Sequence, residues 1–292
     1  MRRLVLVVNP VSGRGRARRA AGRAATLLSA AGIDVSIHAT RHAGDARDSA
    51  LQFAAGADAV VAVGGDGTLA ELVSGLDGTD FTAGIIPCGT ANVVARELRI
   101  PRGLRAAVKV LVEGKARRLD LGRANGRPFL AMVGVGLDGS IVRALSEARR
   151  GPISMASYVK PSLAALRAYR WPALRVEVDG RALSEHCYGV IVSNTANYGG
   201  IFELLPAARM DDGMLDAQLW RKAGILPALR RFTSGLLRRE SARSISTVVR
   251  AQTLRITAVD GSAVDAEADG DILGTTPLDI EVRAGAVRII AP

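Results

Sequence analysis

Up to about Asp120, short apolar runs rich in β-branched residues alternate with longer stretches that have helical spacing. The runs predict strands at Leu4–Val8, Val35–Ala39, Ala59–Val63 and Thr82–Ile86. The stretches between them predict helices at Ala17–Ala30, Gly44–Ala55 and Leu69–Leu76. Apolar strands separated by helices are typical of a parallel sheet covered on both faces, in which ligand-binding loops gather at the carboxyl ends of the strands. This part of the chain is therefore predicted to be an α/β domain with a parallel sheet.

After Asp120 the pattern changes to hairpin signals. Asn-Gly or Asp-Gly pairs, which favour two-residue hairpin turns, lie between candidate strands at Asn125-Gly126, Asp179-Gly180 and Asp269-Gly270. Two predicted helices interrupt this part, at Ile153–Tyr169, where Pro161 is expected to cause a kink, and at Ile225–Arg239. We predict an α/β domain over residues 1–120 and a β-rich, sandwich-like domain over residues 121–280, with a last strand around residues 281–292 that packs back on the α/β domain.

The composition agrees with two globular domains. The chain has 292 residues, and domains average roughly 150 residues; 48% of the residues are hydrophobic, which excludes disorder. The two cysteines, Cys88 and Cys187, exclude a disulfide scaffold and a four-cysteine zinc site. No apolar run approaches the roughly 20 residues of a membrane-spanning helix, and the N-terminal sequence lacks a secretory cleavage site. We expect a cytoplasmic protein.

The net charge of +11 is unevenly distributed. Basic residues concentrate between Arg221 and Arg250, whereas the segment Asp260–Glu281 contains acids and neither Lys nor Arg. A basic surface suits nucleic acid, anionic lipid or phosphate substrates. Aromatic residues make up only 4% of the chain and no nucleic-acid-binding motif is present, so no specific nucleic-acid partner is expected.

The two predicted helices of the β-rich part mix basic with apolar residues. The second carries four arginines beside Leu and Phe residues, namely Arg230, Arg231, Arg238 and Arg239. Such helices rest on anionic lipid headgroups, so we predict peripheral association with an anionic membrane surface. Packing of the apolar helix faces on the β-rich core stays open as the alternative.

Three turns with glycine or small hydroxyl residues follow strands of the α/β domain, at Asn9–Gly13, Gly64–Thr68 and Pro87–Asn92. Backbone N–H groups in such turns approach phosphate oxygens, and the following helix adds the positive end of its dipole. Asp66 in the second turn would repel phosphate unless Mg²⁺ lay between them or the carboxylate served as a base. The alternative is a set of tight turns with Asp66 as a helix N-cap. The chain lacks a P-loop and a complete dinucleotide fingerprint, which excludes those two classes of nucleotide-binding enzyme.

These motifs, in this order, resemble the diacylglycerol kinase catalytic-domain family, which includes bacterial lipid kinases and the sphingosine and ceramide kinases. Asn9–Gly13 matches the family's N-P-x-S-G, Gly64–Thr68 its G-G-D-G-T, and Gly89–Asn92 its G-T-x-N. Asp211–Asp216 resembles its acidic turn, and Asp269-Gly270-Asp271 stands where the family has D-G-E. NAD kinases share the G-G-D-G-T core alone. The resemblance covers nearly the whole chain and implies an NAD kinase-like α/β domain followed by a β-rich lipid-substrate domain.

The resemblance also implies roles for individual residues. ATP would be held by Asn9, Pro10, Val11, Ser12, Gly13, Thr40, Gly65, Asp66, Gly67, Thr68, Glu71 and Thr90. A structural Mg²⁺ would be bound by Asp212 with the backbone carbonyls of Arg209 and Met214. Asp271 would be the catalytic proton acceptor, with Asp66 as a second candidate catalytic residue. Two positions depart from the family pattern: Ala70 replaces Asn, and Asp271 replaces Glu, which shortens its reach by one methylene group.

The chemistry of these residues agrees with the resemblance. Phosphoryl transfer needs a phosphate cradle, Mg²⁺ and a carboxylate that orients the attacking hydroxyl. Asp66, Asp212 and Asp271 are predicted to converge between the domains. We therefore predict an ATP- and Mg²⁺-dependent lipid kinase; an NAD kinase-like enzyme and a nucleotide-binding regulator with little turnover are the alternatives. The choice between a diacylglycerol-type and a sphingoid-type lipid stays open, as does homodimer formation.

Overall fold

The structure of the protein, a computed structural model, describes residues 3–148, 155–183, 186–236 and 246–292. The chain divides into two compact units. The first comprises Met1–Leu121 and Ala284–Pro292, and the second comprises Gly122–Arg283.

The elements up to the first boundary alternate strands and helices. In chain order they are β1 (Arg3–Val8), α1 (Arg16–Ala30), β2 (Asp34–Ala39), α2 (Asp45–Asp48), α3 (Ala50–Ala54), β3 (Ala59–Gly64), α4 (Asp66–Leu76), β4 (Thr82–Pro87), α5 (Val93–Glu97), α6 (Leu104–Glu113) and β5 (Lys115–Ala124). The later elements are mostly strands. They are β6 (Arg127–Phe129), β7 (Met132–Val135), α7 (Leu137–Glu147), α8 (Met155–Ala168), β8 (Leu174–Val178), β9 (Arg181–Ala182), β10 (Val190–Ser193), β11 (Asn197–Tyr198), β12 (Phe202–Glu203), β13 (Leu215–Trp220), α9 (Ile225–Leu236), β14 (Ser246–Ala251), β15 (Thr253–Ala258), β16 (Asp265–Ala268), β17 (Asp271–Thr275) and β18 (Leu278–Ala291).

A parallel sheet in the order β2-β1-β3-β4 forms the centre of the first unit, and the end of β18 pairs parallel to β4 at Arg288 and Ile289. Every residue of β3 is buried, as a strand covered on both faces requires. Helix α1 packs on the sheet through the face that carries Ala17, Ala24 and Leu28, which recur at helical spacing. The prediction of an α/β domain with a parallel sheet is confirmed.

Two helix predictions in this unit need correction. The helix predicted over Gly44–Ala55 is two short helices, α2 and α3, which meet at Ser49. The Ser49 hydroxyl donates to the Asp45 carboxylate at 3.3 Å, and such a local bond competes with continuous helix formation. The helix predicted to begin at Leu69 begins three residues earlier, at Asp66, so the helix starts inside the glycine-rich motif itself.

The second unit contains two antiparallel sheets that share one apolar core. One sheet has the order β14-β13-β10-β7-β16-β17; the other pairs β18 with β15, β15 with β8 and β8 with β9. The core combines Val133 and Val192 of the first sheet with Val176, Ile256 and Ile280 of the second. The prediction of a β-rich, sandwich-like C-terminal part is confirmed.

The predicted hairpin turns of this unit are present where the Asn-Gly and Asp-Gly pairs predicted them. Asn125-Gly126 joins β5 to β6, Asp179-Gly180 joins β8 to β9, and Asp269-Gly270 joins β16 to β17. All six residues have positive φ, between 48° and 88°. Asn, Asp and Gly tolerate this left-handed region, and paired positive φ angles match the twist of the flanking strands.

The two helices predicted in the β-rich part are described in part. Helix α8 continues through Pro161 as far as Ala168, and α9 ends at Leu236 in the described chain. Ile153, Arg238 and Arg239 lie outside the described residues. Within the ranges that the structure describes, no helix combines the length and the apolar character needed to span a bilayer.

Gly75→Ala and Gly22→Ala are expected to change stability in opposite directions. Gly75 lies within α4, where an added Cβ would overlap the Arg47 carbonyl oxygen and lie 2.6 Å from the Ala50 Cβ. We expect this substitution to lower the free energy of unfolding by about 1–3 kcal/mol. Gly22 lies within α1 with open space around it, so alanine should raise the free energy of unfolding by about 0.5–1 kcal/mol. Urea unfolding measures both changes; equal effects would contradict the packing of α4 on α2.

Candidate active site

The first glycine loop follows β1 and is folded on itself. The Asn9 side-chain oxygen accepts the Val11 N–H at 3.2 Å, and the Asn9 carbonyl accepts the Ser12 N–H at 3.1 Å. Gly13 has a φ of +59°, and an added Cβ there would overlap the Cys88 carbonyl oxygen. This position therefore requires glycine for two reasons, its backbone angle and its contact with the loop after β4.

The second loop, Gly64–Thr68, connects β3 directly to α4. An added Cβ on Gly64 would lie 2.7 Å from the Thr68 Cβ, so the Thr68 side chain packs on the backbone at the strand end. Gly65 is the N-cap residue of α4, and Asp66 is its first helical residue. The alternative interpretation of Asp66 as the N-cap of its own helix is therefore wrong.

The third loop lies against the second, backbone to backbone. The Gly64 carbonyl accepts the N–H groups of Cys88 at 2.7 Å and Gly89 at 3.2 Å. An added Cβ on Gly89 would lie 2.6 Å from the Gly65 Cα. Asn92 closes the loop, because its side chain accepts the Gly89 N–H at 3.0 Å and donates to the Gly89 carbonyl at 2.9 Å. The loops after β1, β3 and β4 thus form one cluster at the carboxyl ends of the parallel strands.

The Asp66 carboxylate connects two helices of this cluster. It accepts the Val94 N–H at 3.2 Å and so caps α5 from a different part of the chain. Burial raises the pKa of Asp66, and the backbone N–H groups of Val94, Val93 and Asn92 oppose that rise. The main-chain N–H groups thus stabilise the charged form of Asp66 at a position that water solvates poorly.

Thr40 and Glu71 are tied to the same end of the sheet. The Thr40 N–H donates to the Val8 carbonyl at 2.8 Å, which places Thr40 beside the start of the first loop. The Glu71 carboxylate accepts the Gly44 N–H at 3.0 Å and links α4 to the segment before α2. Thr90 is exposed in the third loop. The residues predicted to hold ATP are thus all on loops after strands of the first unit or in the first two turns of α4.

The acidic turn of the second unit is organised by Asp212. Its carboxylate accepts the Met214 N–H at 3.1 Å and forms an ion pair with Arg250. Arg250 also lies 3.7 Å from the carboxylate of Asp216, whose pKa is raised by burial. Asp211 is paired with Arg209 at 3.1 Å. Within the described ranges, no group of three or more His, Cys, Asp or Glu side chains is arranged to hold a metal ion, so a cation at Asp212 would need main-chain oxygens as well.

Asp271 is the first residue of β17, directly after the Asp269-Gly270 turn. Its side chain is exposed and lies 3.6 Å from the guanidinium of Arg127, which also donates to the Ile272 carbonyl at 2.7 Å. The Asp269 carboxylate accepts the N–H groups of Leu130 at 2.7 Å, Ala131 at 2.8 Å and Met132 at 3.0 Å. Asp269 therefore anchors the turn, and Arg127 holds the side chain that follows it.

Arg127 and the structural role of Asn92 were not predicted from the sequence. Arg127 has no motif, and its contact with Ile272 joins positions 145 residues apart. The G-T-x-N motif marks Asn92 as a candidate in the sequence. Its two hydrogen bonds to Gly89 follow only from the loop conformation. Asp66 lies in the first unit, and Asp212 and Asp271 lie in separate turns of the second. Their convergence stays a prediction.

An α/β unit with glycine loops at the ends of parallel strands, followed along the chain by an antiparallel sandwich unit, is typical of nucleotide-binding enzymes with an added β-rich domain. Residues 3–124 match the family model for the diacylglycerol kinase catalytic domain, and residues 131–291 match that for the YegS C-terminal NAD kinase beta sandwich-like domain. The chain belongs to the diacylglycerol kinase catalytic-domain family, and the predictions of this family and of a phosphotransferase are confirmed.

Individual relatives are similar over most of their length. The chain is 31% identical to a diacylglycerol kinase of Mycobacterium tuberculosis (strain H37Rv), across 99% of this chain and 95% of the relative. It is 32% identical to a diacylglycerol kinase of Bacillus subtilis (strain 168), across 81% and 79%. A crystal structure of a diacylglycerol kinase from Bacillus anthracis str. Sterne superposes with a TM-score of 0.78 at 27% identity, covering 100% of this chain and 97% of that one.

Replacing Asp66 should reveal the energetic effect of its burial. The raised pKa of Asp66 means that the folded state binds the proton of this carboxyl group more tightly than the unfolded state does. The wild type therefore loses stability as pH rises from about 3.9, the ordinary pKa of an Asp side chain, through the folded-state pKa. Asp66→Asn removes this titration and keeps an oxygen that accepts the Val94 N–H. The free energy of unfolding of the variant relative to the wild type should therefore increase with pH across this interval in urea titrations.

Asp66→Ala is the matched control for the capping bond. It lacks both the charge and the acceptor, so it should be less stable than Asp66→Asn by about 1 kcal/mol at every pH. A difference between wild type and Asp66→Asn that stays flat or falls with rising pH would contradict the burial of this carboxyl group.

Proposed function

We propose that the protein is an ATP- and Mg²⁺-dependent lipid kinase, which transfers the γ-phosphate of ATP to a hydroxyl group of a diacylglycerol-type or sphingoid-type lipid. The observation that carries the proposal is the cluster of three glycine loops joined through Gly13, Gly64, Gly65 and Gly89. Membership of the family and the names of the relatives favour a lipid alcohol over NAD as the acceptor.

The loop cluster supplies what nucleotide phosphates require. At Gly65 and Gly89 no side chain separates ligand from backbone, and α4 begins at Asp66 with its positive dipole end. Ser12, Thr68 and Thr90 add hydroxyl groups to the loops. We assign the ATP phosphates to Asn9–Gly13 and Gly65–Thr68, with Thr40, Glu71 and Thr90 at the edge of the same site. Ala70, which follows this cradle, has no side-chain amide, whereas the family pattern has Asn at this position. In this proposal the other groups of the cradle are sufficient to bind ATP.

Asp66 carries a negative charge in a cradle meant for phosphate. Its oxygen ligands suit the hard cation Mg²⁺, which would neutralise charge on the transferring phosphoryl group when bound. Asp66 keeps its position because Val94 donates to it. A second, structural Mg²⁺ is assigned to Asp212 with the carbonyl oxygens of Arg209 and Met214, an all-oxygen donor set; Arg250 contacts the same carboxylate and would compete with the cation.

Asp271 is assigned as the proton acceptor for the attacking hydroxyl. Its carboxylate is exposed to an incoming substrate, and the ion pair with Arg127 limits the directions it adopts. In a loose phosphoryl-transfer transition state little proton removal is needed until late, so an Asp in place of the family's Glu is sufficient. The role of Asp271 is to orient the hydroxyl and to receive its proton at a carboxylate oxygen.

Helix α9 is the proposed contact with the membrane surface. Leu226 is 77% exposed, and Ile225 and Leu229 are also exposed, whereas Ala228 of the same helix is buried. Lys222 and Arg230 flank the exposed apolar residues along one groove. Exposed apolar side chains beside cations suit the interface of an anionic bilayer. The apolar face of α9 is thus only partly used for packing on the protein.

Asp271→Asn should lower turnover by about 10²-fold or more, because the amide keeps the shape of the side chain but accepts no proton. ATP affinity should be unchanged, since Asp271 is assigned to the hydroxyl and not to the nucleotide. Transfer of label from ATP to diacylglycerol and to sphingosine in mixed micelles measures turnover, and calorimetry measures ATP binding.

Asp271→Glu is the matched control and should retain or raise turnover. Labelled NAD in place of labelled lipid would identify an NAD kinase, and ATP binding by wild type without any product would identify a nucleotide-binding regulator. Near-normal turnover of Asp271→Asn would move the base elsewhere, with Asp66 the first residue to test.

Vesicle binding should depend on the α9 surface. Lys222→Gln with Arg230→Gln should reduce co-sedimentation with vesicles that contain anionic lipid, at about 1 kcal/mol for each basic residue removed, and wild-type binding should weaken as salt rises. Arg18→Gln with Arg19→Gln removes the same charge from the exposed side of α1 and is the control. Equal loss in both double variants would show that only net charge matters and would contradict a role for α9.

A further inference from the structure

We propose that Glu267 is a positioning residue for Asp271, acting through a carboxyl network with Asp138 and Tyr198 that fixes the conformation of the Asp269-Gly270 turn. The inference rests on the proposed function, because it concerns the residue assigned there as proton acceptor. The inference adds roles for Glu267, Asp138 and Tyr198. These residues lie outside the glycine loops, the acidic turn Asp211–Asp216 and the Asp269-Gly270-Asp271 motif.

Glu267 reaches the turn from the face of β16 that lies next to α7, opposite to the face by which Ala266 and Ala268 enter the apolar core. Its side chain is only 2% exposed, and its carboxyl group accepts the Gly270 N–H at 2.7 Å. Gly270 is the residue directly before Asp271 and has a φ of +88°. The three N–H groups that bind the Asp269 carboxylate hold the first half of the turn; Glu267 holds the second half, next to the strand residue that carries the reactive side chain.

A bulge in the partner strand β17 lies opposite Glu267. The register between β16 and β17 shifts between Ala266 and Glu267, so that Ala266 pairs with Gly274 and Glu267 with Ile272. The extra residue is Leu273 of β17, and such bulges bend the strand that carries them and are frequent beside active sites. A charged residue within the buried part of a strand destabilises the fold unless its polar atoms are satisfied, and the Glu267 side chain finds a partner in the Gly270 N–H of the turn.

Asp138 and Tyr198 support Glu267 from the other side. Asp138 lies in the first turn of α7 and is hydrogen-bonded to Glu267, and the Tyr198 hydroxyl donates to Asp138 at 2.6 Å. An added Cβ on Gly134 of β7 would lie 2.8 Å from the Asp138 carboxyl carbon. The absence of a side chain at Gly134, which pairs with Glu267 across the sheet, therefore makes room for the Asp138 carboxylate.

One proton shared by the two carboxyl groups explains how they lie side by side. Burial, followed by the negative charge of Asp138, raises the pKa of Glu267 well above its ordinary value. Burial raises the pKa of Asp138 as well, while its bonds from Tyr198 and Glu267 favour the charged form. The start of α7 also favours a negative charge at Asp138. The proton therefore resides on Glu267, which donates to Asp138 with one oxygen and accepts from Gly270 with the other.

The surroundings of the pair determine what happens as pH rises. Tyr198 from β11 and Asp269 from the turn also lie near the pair of Glu267 and Asp138, and the negative charge of Asp269 opposes ionisation of Glu267. Arg143 of α7 is paired with Asp265 at 2.8 Å. When Glu267 loses its proton, adjacent carboxylates repel one another. The turn then loses a fixed conformation, and turnover should fall on the alkaline side of the pH profile.

Glu267→Gln and Glu267→Met test this positioning role. The Gln amide donates to Asp138 and accepts from Gly270, as protonated Glu does, so the variant should keep turnover near the wild-type value and lose the alkaline fall. Met has a similar volume but no acceptor for Gly270. Its turnover should fall by about 10- to 100-fold, the loss expected from misplacing a reacting group, with the KM for ATP unchanged. Tyr198→Phe should shift the alkaline fall without removing it.

Hydrogen exchange of the Gly270 amide, followed by NMR, gives a readout independent of activity. The amide should be protected in wild type and in Glu267→Gln and exchange faster in Glu267→Met, while Glu281→Met, at an exposed strand position, changes neither exchange nor turnover. Wild-type turnover or unchanged Gly270 protection in Glu267→Met would overturn the inference. Absence of turnover in the wild type would overturn the proposed function instead, and the exchange data would still decide whether Glu267 holds the turn.

Discussion

The approach of two backbones, at Gly65 and Gly89, is the constraint on which the first unit's site depends. An added Cβ on Gly89 would lie 2.6 Å from the Gly65 Cα, so the loops after β3 and β4 meet only without side chains. The Gly64 carbonyl receives both N–H groups of the third loop that face it, Cys88 and Gly89. Asn92 holds that loop closed, and Asp66 caps the helix that follows it. The bonds that Gly64 and Asp66 form with the third loop and its helix would be lost if the two backbones moved apart.

The second unit solves a different problem, which is to hold an exposed carboxylate in a defined direction. An exposed side chain changes rotamer at a small cost in free energy. An exposed ion pair such as Asp271 with Arg127 contributes little stability. The rigid parts are instead in the backbone of the turn. Asp269 binds three N–H groups on one side of it, and buried Glu267 binds the Gly270 N–H on the other. Polar groups placed in the interior are tolerated because their bonds are satisfied.

Both units pair a poorly solvated carboxyl group with a main-chain N–H donor. Asp66 accepts from Val94, and Glu267 accepts from Gly270. In both places burial raises the pKa of the carboxyl group while the N–H group lowers it. Shifted pKa values of this kind are common at functional sites. The same physical device thus supports the proposed nucleotide site and the proposed position of the proton acceptor.

Local chemistry determined much of this protein from the sequence alone. The four strands predicted in the α/β part coincide with β1 to β4 within one residue at each end, because β-branched residues favour the extended backbone of a strand. The hairpin turns followed from Asn-Gly and Asp-Gly pairs, whose positive φ angles are a property of the residues themselves. The motifs of the glycine loops were also visible in the sequence, because they consist of particular residue types at neighbouring positions. Tertiary structure alone decided which groups meet. Asp66 with Val94, Arg127 with Asp271, and Glu267 with Asp138 are contacts between distant segments. They depend on strand order and on register, including the one-residue bulge in β17, none of which a local pattern specifies.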